Sequence, residues 1–64
     1  MTAAERMKTI IDERGVTYSF ISRKTGISVD SISKSMAGKR KLPADELVKM
    51  CLLLNVDISA FADE

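Results

Sequence analysis

The thiol and carboxyl side chains of this chain form no catalytic constellation. Cys51 is the one thiol and there is no histidine, whereas a catalytic thiol needs such a base to activate it. The same lack leaves no Cys/His set with metal-ligand spacing, and a lone cysteine can form no internal disulfide. Three carboxylate pairs, Asp12 with Glu13, Asp45 with Glu46 and Asp63 with Glu64, are adjacent in sequence. Neighbouring residues diverge by about 100° on a helix, which suits a solvated surface rather than an acid/base pair. Neither an enzyme nor a cofactor follows from these residues. What remains is the placing of charge. Net charge is +1, yet six basic residues (Arg23, Lys24, Lys34, Lys39, Arg40, Lys41) face the single acid Asp30 between positions 23 and 41, while the rest holds four basic and eight acidic residues. A basic middle between acidic ends has the chemistry of one polyanion-facing edge, because phosphate binding depends on local charge. A solvated basic loop would give the same count.

The elements that must position these residues are all helical. Thr2 followed by Glu5 reads as a capping box that starts a first helix. Met7, Ile10 and Ile11 then form an apolar stripe until Gly15 closes it as a left-handed cap. Thr17 is a second N-cap, with Phe20, Ile21 and Lys24 at helical spacing from Tyr18 to about Thr25, where Gly26 stops the chain. Ser28 is a third N-cap, and Val29, Ile32 and Met36 run from it to Gly38. A turn as short as Gly26 to Ser28 forces the second and third helices to cross steeply, which is helix-turn-helix geometry.

Gly38 to Leu42 (GKRKL) is a basic loop. Pro43 fits the first turn of a fourth helix, where Asp45 and Glu46 suit the positive end of the dipole. Leu47, Val48, Met50, Cys51, Leu52 and Leu54 make that helix apolar on most sides, so it is expected to be the central core helix, ended by Asn55. Asp57 caps a last short helix with Ile58, Ala60, Phe61 and Ala62. No stretch has the period-two alternation of a strand. The expected fold is all-α, five helices in one domain spanning residues 1–64.

At 64 residues only about 60% of the unfolded chain's surface can be buried, so the core is thin. The longest apolar run, Met50 to Leu54, is far short of the ~20 residues of a membrane span, and no apolar leader segment opens the sequence. With one unpaired cysteine, a reducing cytoplasmic location is expected.

Taken together, GVTYSFISRKTGISVDSISKSMAGKRK followed by LVKMCLLLNVDISAF resembles the Cro/repressor-type helix-turn-helix family of phage repressors and related bacterial regulators, the XRE family. Gly15-Val16-Thr17 looks like that family's entry into its second helix, Gly26 like its turn glycine and Ile32 like the apolar residue holding the third helix. Gly38-Lys39-Arg40 looks like its loop after that helix, and Asn55-Val56-Asp57-Ile58 like its link into the last one. The fold implied is a compact lambda-repressor-like domain. Several positions depart from the pattern. Tyr18 stands where the family usually has Gln, and Phe20 where it carries an exposed polar residue, so Phe20 either folds against Tyr18 and the first helix or belongs to a contact surface. Ile11 and Met36 occupy the places of an Arg and Glu that many members pair; such a double apolar swap is often neutral or stabilising, because two desolvated charges give way to packing.

The resemblance implies that the third helix enters the DNA major groove, where each base pair shows a distinct pattern of donors and acceptors. By the family's spacing, Val29, Asp30, Ser33 and Lys34 meet base edges there: Val29 on a thymine methyl, Asp30 accepting from a cytosine amino group, Ser33 and Lys34 on bases or a phosphate. Alternatively Asp30 only screens the helix N-terminus and Ser33 is solvated. Phosphate contacts are expected from Lys39, Arg40 and Lys41, from Thr17, Tyr18 and Ser28, and from the amides opening the second helix. The partners implied are a double-stranded operator and a second copy of the chain, paired through Ile58 and Phe61; core packing of one or both is the other reading. The leading function is a sequence-specific transcriptional regulator, a repressor of phage or mobile-element type. The alternative is an antitoxin-like or regulator-binding module with DNA contact secondary or lost, favoured by Tyr18, Phe20 and Asp30.

Overall fold

The computed structural model describes residues 2–61. Its elements follow the local capping chemistry closely. Helix α1 (Ala3–Arg14) opens with the full box: the Glu5 amide donates to Thr2 Oγ1 at 3.1 Å while the Thr2 amide donates to Glu5 Oε1 at 2.9 Å. That bond from the Thr2 amide also holds the Glu5 carboxyl below its ordinary pKa. Helix α2 (Tyr18–Thr25) is capped by Thr17 and helix α3 (Val29–Met36) by Ser28. Helix α3 ends in a Schellman arrangement, the Gly38 amide donating to the Ser35 carbonyl and the Lys39 amide to the Lys34 carbonyl at 2.9 Å. This closure needs a left-handed residue, and Gly38 supplies it at φ +78°.

Helix α4 (Ala44–Leu54) differs from expectation in two ways. Pro43 is its cap rather than a residue of its first turn, so no side chain caps this helix. It is also not surrounded by protein. Met50, Cys51 and Leu54 are buried, but Val48 is 44% and Leu52 77% exposed. Asn55 ends it in the left-handed conformation.

The expected fifth helix is a single 3-10 turn, Ile58–Phe61. The described residues therefore form four helices and that turn, with no strand. Asp57 does open it, its carboxylate accepting from the Ser59 amide at 2.9 Å, which holds Asp57 below its ordinary pKa. Ala62, Asp63 and Glu64 lie outside the described residues.

The core joins all five elements: Met7 and Ile11 of α1, Ile21 of α2, Ile32 and Met36 of α3, Met50, Cys51 and Leu54 of α4, and Phe61, with Ile27 from the turn. Ile11 and Met36 are 1% and 6% exposed, so both positions belong to the packed apolar core. Two guanidiniums fasten α1 to distant carbonyls, Arg14 to Leu54 and Arg6 to Ala60. Arg14 thereby meets the negative end of α4.

Candidate nucleic-acid interface

Three residues, Gly26 to Ser28, separate α2 from α3, and each has a distinct task. Gly26 takes φ +81°, a backbone conformation that side chains with a Cβ resist. Ile27 is 6% exposed and pins the turn into the core. Ser28 accepts from the Ser31 amide at 3.1 Å and donates to the Ser31 hydroxyl at 2.9 Å. Thr25 clasps the same turn, donating to the Ile21 carbonyl at 2.7 Å and accepting from the Ile27 amide at 3.3 Å. From the sequence alone Thr25 is only the end of a helix. A hydroxyl that bonds back one helical turn and also forward around the corner has no sequence signature beyond its residue type.

The turn fixes which side of α3 faces outward. Ile32, Ser35 and Met36 are buried, whereas Val29, Asp30, Ser33 and Lys34 all lie exposed on the opposite face. All four expected base-contact residues thus share one surface. Val29 is 43% exposed. Val29 and Lys34 stand about 140° apart around the helix and mark the two flanks of this face. Asp30 and Lys34 are joined as an i,i+4 ion pair, Nζ to Oδ2 at 3.1 Å.

The expected phosphate-contact residues divide into three groups. Thr17 is exposed at the start of α2 and accepts from the Phe20 amide at 3.1 Å; Tyr18 is half-buried against the core. Ser28 is engaged in its cap, as described. In the loop after α3, residues alternate. Lys39 and Lys41 are exposed, while Leu42 packs against the core and Arg40 turns inward. The Arg40 guanidinium donates to both oxygens of Glu46, Nη1 to Oε1 at 2.8 Å and Nη2 to Oε2 at 3.1 Å, and Nη1 also donates to Ser35 Oγ at 3.0 Å. Arg40 holds the Glu46 carboxyl below its ordinary pKa, and Glu46 in turn raises that of Arg40. Ser35 is the one buried polar residue of the described chain, and this contact supplies its hydroxyl with a partner. The loop and the first turn of α1, Thr2 to Ala4, also line an open recess of about 540 Å³.

Other polar and apolar groups are disposed differently. Phe20 is half-buried against the core, and Arg23 and Lys24 each lie 5.9 Å from its ring centre on α2. Of the two residues expected at a dimer seam, Phe61 is 6% exposed in the chain's own core and Ile58 is 48% exposed. Burial pushes the Cys51 thiol up, with a smaller push from the Asp57 charge, so it stays protonated inside the core. No helix among the described residues is long and apolar enough to cross a membrane.

Two helices joined by a three-residue turn, the second presenting a polar face and followed by a lysine-bearing loop, define a helix-turn-helix domain. The family model of the Cro/C1-type HTH DNA-binding domain matches residues 6–61, and the chain belongs to that family. It is accordingly a DNA-binding domain of a transcription-regulating class. No curated protein and no solved structure gave a match.

Proposed function

We propose that this domain is a sequence-specific repressor of phage or mobile-element type, acting in the cytoplasm by occupying an operator through α3. The observation that carries this reading is the single exposed face on which Val29, Asp30, Ser33 and Lys34 stand together, at the helix that a helix-turn-helix inserts into the major groove. Phosphates would be met by Lys39 and Lys41, by the Thr17 hydroxyl, whose oxygen accepts within the cap and whose hydrogen can donate outward, by Tyr18, and by the helix starts at Thr17 and Ser28. Arg40, engaged with Glu46 and Ser35, is assigned to holding the loop.

One such domain covers a half-site, so operator binding calls for two copies with their α3 helices about one turn of DNA apart. Val48, Leu52 and Ile58 are the exposed apolar residues at the α4 end and are proposed as the homodimer seam, with Phe61 packing inside each copy.

A second reading, a module that binds a toxin or another regulator, is favoured by the aromatic and cationic cluster of Phe20, Arg23 and Lys24 on α2. A gel-shift assay in moderate salt with excess nonspecific competitor DNA separates the two. The repressor reading expects a retained complex on an operator selected from random duplexes. The module reading expects none.

A further inference from the structure

We propose that Asp30 and Lys34 act as one unit that reads a single C·G base pair, Asp30 accepting from the cytosine N4 amino group and Lys34 donating to guanine O6 and N7. The inference rests on α3 being the helix that enters the groove, and it adds what that helix would select there.

Three observations lead to it. The ammonium and carboxylate are 3.1 Å apart on the exposed face of α3, on the flank away from Val29, with Ser33 between them and Val29 around the helix. In a C·G pair the N4 amino group donates to O6 with the heavy atoms about 2.9 Å apart, and both atoms also show in the major groove. The protein pair therefore offers an acceptor and a donor at the spacing at which the base pair offers a donor and an acceptor. The i,i+4 spacing keeps the two side chains neighbours on one face of the helix, within reach of each other and of the same base pair.

Charge explains why the two would act together. A carboxylate entering a groove walled by phosphates is repelled unless it meets a donor, and a lone ammonium there is drawn to the nearest phosphate. Joined, they are neutral as a unit. The carboxylate holds the ammonium over the bases, and the ammonium offsets the repulsion of the carboxylate. A carboxylate accepts only and an ammonium donates only, so the edge they fit is narrowly defined. An A·T pair also sets an amino donor beside a carbonyl acceptor, but adenine N7 would face the carboxylate lone pairs and the thymine methyl would crowd the ammonium. Guanine instead gives the ammonium a second acceptor at N7, and cytosine places no acceptor beside N4.

Binding-site selection from a randomised duplex library at one fixed salt concentration tests this, using the wild-type chain, Asp30→Ala, Lys34→Ala, the double variant and Val29→Ala. All three residues are exposed on α3, so folding is not at stake. The wild type is expected to show a C·G position preferred roughly 5- to 150-fold over other pairs. Both single variants should lose that preference at the same position, the double variant should lose no more than either, and Val29→Ala should relax a different position. If Asp30→Ala and Lys34→Ala act at different positions, or Lys34→Ala weakens all sequences alike while Asp30→Ala leaves every preference in place, the paired reading is overturned and α3 remains the reader. If no site is enriched, or if none of the variants including Val29→Ala alters the consensus, α3 is not the reader and the pair falls with it.

Discussion

Arg40 grips Glu46 through two parallel bonds, Nη1 to Oε1 at 2.8 Å and Nη2 to Oε2 at 3.1 Å. The fork fixes the orientation of the guanidinium as well as its position, which a single contact would not. Because Glu46 belongs to the first turn of α4 and the same guanidinium reaches Ser35 of α3, the loop is tied to both helices between Lys39 and Lys41. The two lysines then project from a backbone that is anchored at the residue between them.

This grip predicts a pH dependence with a defined sign. Arg40 holds the Glu46 carboxyl below its ordinary pKa, so the folded state binds that proton more weakly than the unfolded chain does. The stabilisation is present above the ordinary carboxylate pKa and is lost as pH falls through the lower folded value. Glu46→Gln should lower the melting temperature at about pH 7, and the gap to wild type should close towards about pH 2. A gap that is the same at both ends would mean that the pair adds nothing to stability.

Division of labour in the loop predicts a graded salt dependence. Lys39→Ala and Lys41→Ala should each reduce the slope of log K against log salt by about 0.9 and weaken all sequences alike. Arg40→Ala should change the slope by clearly less than either. Arg40→Lys keeps the charge but cannot make the fork, so it should behave as Arg40→Ala does. Slopes measured by fluorescence anisotropy between about 50 and 200 mM salt decide this. A loss of a full unit for Arg40→Ala with the charge rescued by Arg40→Lys would return Arg40 to the phosphate contacts.

The corner between α2 and α3 predicts losses of stability without changes of sequence preference. At Gly26 nothing lies within 4 Å of an added Cβ, so the cost of Gly26→Val comes from the backbone at φ +81° alone. A β-branched residue there should cost about 1–2 kcal/mol, or roughly 5–15 °C in Tm for a domain this small, and Gly26→Asn clearly less. Thr25→Val removes both bonds of the clasping hydroxyl while keeping its shape, and should cost about 1–2 kcal/mol. Thermal unfolding of the three variants checks both statements; an unchanged Tm in Gly26→Val would rule out backbone strain at the turn.

Much of this architecture is legible residue by residue, because capping acts over three or four positions. Thr2 with Glu5, Thr17, Ser28 and the left-handed Gly15, Gly26 and Gly38 all do in the structure what their types imply. Contacts that span the chain are not legible in this way. Nothing local tells Arg40 from Lys39 and Lys41; Glu46 on α4 and Ser35 on α3 turn it inward. Likewise Arg6 and Arg14 find carbonyls more than a third of the chain away. Leu52 shows a different limit. An almost continuous apolar run carries no periodicity to say which side is covered, and in a core this thin one side of α4 stays open. In the final turn, apolar spacing suggests a helix, but the four residues Ile58–Phe61 are too few to define one.

That open side separates assembly from folding. Leu52 is 77% exposed, so Leu52→Glu should leave the Tm nearly unchanged while reducing cooperative binding to a site with two half-sites. Phe61→Ala should instead destabilise the domain by about 3–5 kcal/mol, as a truncated core aromatic does. Sedimentation and binding to one- and two-half-site duplexes read the first effect, and thermal melts read the second. If Leu52→Glu binds both duplexes as wild type does, the seam lies elsewhere.

The central claim is that α3 and the loop after it form the surface that meets DNA. The most direct measurement is an NMR titration of the labelled domain with a selected duplex, following each backbone amide. The largest shifts should fall on Val29, Asp30, Ser33 and Lys34, with further shifts at Thr17, Tyr18, Lys39 and Lys41, while Val48, Leu52 and Ile58 stay in place on a single half-site. Shifts concentrated instead at Phe20, Arg23 and Lys24, with the α3 amides unmoved, would contradict it.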